Sequence, residues 1–112
     1  MQPLRILAAA ACAAAALGVH AAGDAGAGKH KVFQCQGCHG IADYKTAFPE
    51  LYRVPKLGGQ KPEYIVAALK AYKKGERDFG TMRAISEGLS DKDMDDIAAY
   101  YAMQPLTTAE KK

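Results

Sequence analysis

A chain of 112 residues has room for one domain and not for two. Its fifteen Lys and Arg against twelve Asp and Glu leave a formal charge of +3, and Arg5 of the leader described below accounts for part of it. So small a surplus gives no electrostatic footprint for nucleic acid and no strongly steering surface field.

In chain order, Ile6 to Val19 is almost wholly apolar, is preceded by Arg5, and is followed by Val19-His20-Ala21. A positive start, a short apolar segment and small residues before a cut are the parts of a secretory signal. The run is too short for the ~20 residues of a spanning helix. Residues 1–22 are therefore expected to be a cleaved leader, with the cut after Ala21 or Ala22. Residues 23–112 then form the exported domain, and the expected compartment is the periplasm. Cys12 lies inside the leader; without a branched residue three places earlier, it is expected to leave with the leader and not to carry a lipid. Roughly 90 residues remain, a size at which a hydrophobic core alone gives thin stability.

Residues 22–28 read as a linker into a first helix from Gly26 to Gln36. Ile41 to Gln60 carries Pro49, Pro55, Gly58 and Gly59 and reads as irregular and turn-rich. A second helix spans Lys61 to Lys74: Pro62 suits its first turn, Gly75 its end, and Ile65, Ala68, Leu69 and Tyr72 share one face. Glu76 to Gly80 reads as a polar loop, and Met82 to Glu87 as a short helical turn closed by Gly88. The last helix begins at the N-cap Ser90, with Asp91 and Asp93 in its first turn. Its apolar face is Met94, Ile97, Ala98 and Tyr101, and Pro105 ends it. No alternating strand pattern is visible. The expected fold class is all-α.

The informative stretch is Cys35-Gln36-Gly37-Cys38-His39. Two thiols three apart can add across the two vinyl groups of a haem, and the histidine that follows is then held under the iron; this is the c-type haem attachment signal. A Cys35–Cys38 disulfide would close a tiny loop and stabilise little. A thioredoxin-like pair needs a preceding strand, which is missing. A zinc site needs a fourth ligand, and His30, only five residues before Cys35, is poorly spaced to supply it. His30 reads as a surface residue.

Three methionines follow the leader. Met94 belongs to the apolar face of the last helix and Met103 to its end, so both read as packing residues. Met82 lies in a loop after Gly80, free to bring a thioether to the far face of the haem. A core methionine is the competing reading.

The whole chain after the leader resembles class I cytochrome c. The stretch CQGCHG from Cys35 to Gly40, the segment Pro55-Lys56-Leu57-Gly58-Gly59, the methionine loop, and Leu89-Ser90-Asp91 ending in Ile97-Ala98-Ala99-Tyr100-Tyr101 follow that pattern in order. It is most similar to single domains of the soluble dihaem cytochromes of respiratory bacteria, here with one haem motif. The resemblance implies three main helices with irregular loops wrapped around one covalent haem c. Cys35 and Cys38 would carry the haem, and His39 and Met82 would be the axial ligands. Pro55 would offer its carbonyl to the His39 ring, and Leu57 would pack on the haem. Gly28 and Phe33 would meet the Tyr100–Tyr101 region where the first and last helices cross, and Arg77 would approach a propionate. Arg83 follows Met82 where many members of the family carry proline.

With both axial positions filled, no site is open for substrate, so the expected function is one-electron transfer between redox partner proteins and not catalysis. Lys45, Lys56, Lys61, Lys73 and Lys74 are candidates to ring the exposed haem edge, or simply a solvated surface. Two alternatives stay open: the electron-transfer subunit of a dehydrogenase, and a five-coordinate haem that binds a gas or peroxide.

Overall fold

The computed structural model describes residues 23–48 and 51–105. The leader with Cys12, Pro49 and the Lys111-Lys112 tail lie outside the described residues. Five helices and one minimal hairpin follow in order: α1 (Ala25–Lys31), α2 (Phe33–His39), β1 (Lys45–Thr46), β2 (Tyr52–Arg53), α3 (Pro62–Lys74), α4 (Gly80–Glu87) and α5 (Asp91–Met103). None of the described helices is long and apolar enough to cross a membrane.

Local chemistry starts and stops the helices. The Asp24 carboxylate caps α1 by accepting from the Gly26 and Ala27 amides at 2.8 and 3.2 Å. Helix α3 opens on Pro62 and closes on Gly75, whose φ of 78° is the left-handed conformation that glycine adopts without a Cβ clash. Helix α5 opens on a reciprocal capping box: Ser90 Oγ accepts from the Asp93 amide at 3.1 Å, and the Asp93 carboxylate accepts from the Ser90 amide at 3.0 Å.

The buried apolar core among the described residues is small: Val32, Ile65, Leu69, Met94, Ile97, Ala98 and Tyr101. All four residues expected on the inner face of the last helix are in it. Helix α1 crosses α5 at Gly28, where a Cβ would overlap the Asp96 carbonyl and come within 2.9 Å of the Tyr100 Cβ. Only glycine lets the two backbones approach so closely.

Several expectations need correction. The first helix is not continuous: it breaks at Val32, and its second part runs on to His39. Val32 is fully buried in the core, whereas Phe33, expected at the crossing, is 70% exposed. The turn-rich segment contains a two-stranded antiparallel ladder, Lys45 opposite Arg53 and Thr46 opposite Tyr52; strands of two residues are too short to alternate visibly in sequence. The helical turn expected from Met82 to Glu87 is present, closed by Gly88, but starts two residues earlier at Gly80, so Met82 stands in the first turn of α4 and not in the preceding loop. Met103 is 76% exposed and is not a packing residue: two positions beyond the buried Tyr101, it falls on the opposite side of α5.

Candidate functional site

Helix α2 buries none of its residues fully, which for a helix beside a small core means that one of its faces is available to something else. Cys35 and Cys38, three apart, share a side of it. Both are free thiols and half-buried. His39 closes the helix. Its Nδ1 lies 2.7 Å from the Pro55 carbonyl oxygen. A carbonyl can only accept, so Nδ1 carries a proton, and Nε2 is the ring nitrogen left to meet a metal. Anchoring the far nitrogen of a ligating imidazole in this way fixes both tautomer and ring orientation.

The segment that presents Pro55 is itself tied down. The Gly59 amide donates to the Tyr101 carbonyl at 2.9 Å, the Gln60 amide to the Leu57 carbonyl at 3.1 Å, and a Cβ at Gly58 would meet the Pro105 carbonyl at 2.5 Å. Leu57 is thereby held against the core, as are Cys35 and Met82. Each of the three is partly buried. A hollow of about 200 Å³ is bounded by Gln36, His39, Leu57, Tyr100, Tyr101 and Gln104 among others.

Burial pushes the Cys35 thiol up, and the Tyr101 hydroxyl beside it partly offsets this. Burial likewise pushes the Tyr101 phenol well above its ordinary range, with the Cys35 sulfur a second cause. The two groups touch without a well-aligned hydrogen bond: the Tyr101 hydroxyl is buried and unpartnered, as is Ser86 Oγ on α4.

Sequence reasoning missed Asp96, whose side chain is fully buried where α1 crosses α5. It accepts from the Asp24 amide at 2.8 Å, from Lys31 Nζ at 2.7 Å and from Lys92 Nζ at 3.0 and 3.2 Å. Lys31 also pairs with Asp93 at 2.8 Å. The Lys31 ammonium first, and then the Asp24 amide, hold the Asp96 carboxyl down at about 2. The available signal was non-local: Gly28 and Lys31 on one helix face Asp96 on another. Arg77 stacks over the Tyr72 ring at 4.8 Å, and His30 is exposed, as expected.

The donor set fits a haem better than a bare metal ion. Among the described residues no three His, Cys, Asp or Glu side chains gather to hold a metal. Ile41, Phe48, Leu51 and Tyr52, in the segment that follows Cys35, Cys38 and His39 before α3, leave large apolar side chains exposed. A core of seven buried apolar residues is correspondingly thin, and a large flat apolar group would complete it.

Comparison with known proteins agrees. Residues 25–102 match the family model described as Cytochrome c. Cytochrome c-554(548) of Halomonas halodenitrificans is 44% identical over 86 residues, covering 74% of this chain and 99% of the relative. Cytochrome c4 of Pseudomonas aeruginosa is 42% identical over 88 residues, covering 79% of this chain and 42% of the relative. The chain thus spans less than half the length of that cytochrome c4. The cytochrome subunit of sulfide dehydrogenase of Chlorobaculum tepidum is 31% identical over 67 residues, covering 60% of this chain and 56% of the relative.

Proposed function

The chain belongs to the cytochrome c family, and from that premise we propose that it is a soluble periplasmic carrier of single electrons, with His/Met ligation of one haem c. Haem attachment and electron transfer come with the family. The residues, the ligand pair, the compartment and the carrier role are the proposal.

The observation that carries it is the hydrogen bond from His39 Nδ1 to the Pro55 carbonyl at 2.7 Å, which leaves Nε2 pointed away as the unprotonated donor. Cys35 and Cys38 would form the two thioethers, His39 would be the proximal ligand, and Met82 the distal one. The bound haem supplies reversible one-electron chemistry, and a thioether opposite a histidine raises its potential. The protein's own work is to hold. Pro55 orients the imidazole, Leu57 and the core side chains exclude water, and the lace between Gly59 and Tyr101 fixes the segment that does both. With both axial positions taken, no substrate site remains, so the chain acts as a carrier and not as an enzyme. Residues 1–22 act as the leader that brings it to the periplasm, where redox proteins dock transiently on its surface.

A second reading has one observation behind it: a relative named as the cytochrome subunit of sulfide dehydrogenase. In that reading the same haem receives electrons from a tightly bound dehydrogenase partner. Co-purification of a stoichiometric partner with the native protein separates the two.

The test is spectroscopic. Mass spectrometry of the mature protein, from cells competent in haem attachment, should show one added haem. The ferric protein should show the near-infrared sulfur-to-iron band. Met82→Ala should abolish that band, lower the potential and let the ferrous form bind carbon monoxide, while Met94→Leu should keep the band. Loss of the band in Met94→Leu and not in Met82→Ala would overturn the ligand assignment.

A further inference from the structure

Two buried hydroxyls have no partner among the described residues, and one of them touches a group that changes on haem attachment. Tyr101 is only 5% exposed. Its ring belongs to the core, edge-on to Tyr100 at 5.3 Å. Its hydroxyl lies beside the Cys35 sulfur, which is itself packed against that core. A buried polar atom without a partner is rare enough to need a physical account.

The chemistry of the sulfur provides one. A thiol has its own proton and is both a weak donor and a weak acceptor. Beside it a hydroxyl has a competitor, and no well-aligned bond forms here. Attachment to haem replaces the S–H proton with carbon. The sulfur is then a thioether that can only accept, as in methionine. The unpartnered O–H of Tyr101 is the matching donor, already in contact.

We propose that Tyr101 donates a hydrogen bond to the Cys35 sulfur once that sulfur is a haem thioether, and that it thereby restrains electron release from the sulfur into the ring. The proposal rests on attachment at Cys35. Tyr101 is a positioning residue: it acts on the haem through the sulfur. A donor on the thioether draws electron density from the ring edge, which favours the ferrous state, since hydrogen bonding and burial around a haem tune its potential.

The experiment uses haem-loaded protein, wild type, Tyr101→Phe and Tyr100→Phe. Tyr101→Phe removes one oxygen and leaves the ring in the core, so the variant should still fold and load haem. At a fixed solution potential its ferric-to-ferrous ratio should rise by roughly two- to tenfold, the span of one ordinary hydrogen bond. Resonance Raman of the wild type should show a carbon–sulfur stretch that shifts between H2O and D2O, and Tyr101→Phe should lose that shift. Tyr100→Phe, whose hydroxyl accepts from Gln36 Nε2 at 3.4 Å instead, should behave as wild type in both readouts. A wild-type stretch insensitive to D2O overturns the inference without any variant. So does an unchanged potential in Tyr101→Phe, which would mean that water in the neighbouring hollow satisfies the hydroxyl. A digest in which the wild-type Cys35 peptide carries no haem overturns the attachment reading itself, a failure visible before any potential is measured.

Discussion

Replacing Asp96 with Asn removes one charge from a buried electrostatic contact while keeping its shape. The carboxylate is fully buried and accepts from one backbone amide and two ammonium groups at 2.7 to 3.2 Å. Hydrogen bonds to a charged group are worth about 1.5–3 kcal/mol each, but desolvating the carboxylate offsets much of their sum. Neither lysine is stranded by the change, since Lys31 keeps Asp93 and Lys92 is largely in solvent. The net cost should therefore be about 2 kcal/mol, or roughly 8–16 °C in melting temperature for a domain of this size. The pH dependence is the sharper test. The folded carboxyl is held at about 2 against an ordinary 3.8, so its folded pKa lies below its unfolded one. Its stabilisation is complete above about pH 5 and fades as pH falls from there toward 2. Denaturant unfolding of haem-loaded wild type and Asp96→Asn at pH 7, 5 and 3 should show the gap between them narrowing at the lowest pH. A gap that stays constant from pH 7 to 3, or a variant as stable as wild type at pH 7, would refute the reasoning.

Gly28→Ala should cost about 1–3 kcal/mol by overpacking the crossing of α1 and α5, since the added methyl meets the Asp96 carbonyl and the Tyr100 Cβ; an unfolding midpoint equal to wild type would count against the crossing. In a urea titration, the near-infrared band that reports Met82 should disappear before helical circular dichroism does. Simultaneous loss would mean that α4 is bound as firmly as α5.

The parts legible in the sequence are those set by neighbours along the chain. Ser90 with Asp93, Pro62, Gly75 and the 3.6-residue spacing of Met94, Ile97, Ala98 and Tyr101 are local signals, and each element they mark is present. The haem motif is local too. What escaped depends on partners far away. Val32 interrupts the first helix because it turns wholly into a core assembled by α3 and α5. Asp96 reads as one more surface acid until Gly28 is set against it. Helix α4 starts at Gly80 after the N-cap Phe79 with no side-chain cap, so its start leaves no signal in the sequence, whereas its end at Gly88 does. The Pro55 contact was legible only through resemblance, because a backbone carbonyl leaves no mark in composition.

These details add up to an unequal grip on the two faces of the haem site. Helix α5 holds the proximal side several times over. Asp96 binds the Asp24 amide and Lys31 of α1, Tyr101 touches Cys35 of α2, and the Tyr101 carbonyl accepts from Gly59 in the segment that presents Pro55 to His39. Loss of one contact leaves the others to keep the imidazole in place. The distal side has less. Helix α4 packs against α3, begins without a side-chain cap, and carries Met82 only three residues from that uncapped end. Helix ends fray within about a turn, and locally weak elements open at free energies far below global unfolding. Under the proposed ligation, the Met82 thioether would become part of what holds α4 in place, whereas the Pro55 carbonyl holds the His39 ring from the protein side. The asymmetry suits a carrier. In that proposal the proximal contacts would keep the haem oriented, and the distal ligand, by tying α4 to the haem, would stiffen the molecule where its side-chain capping is weakest.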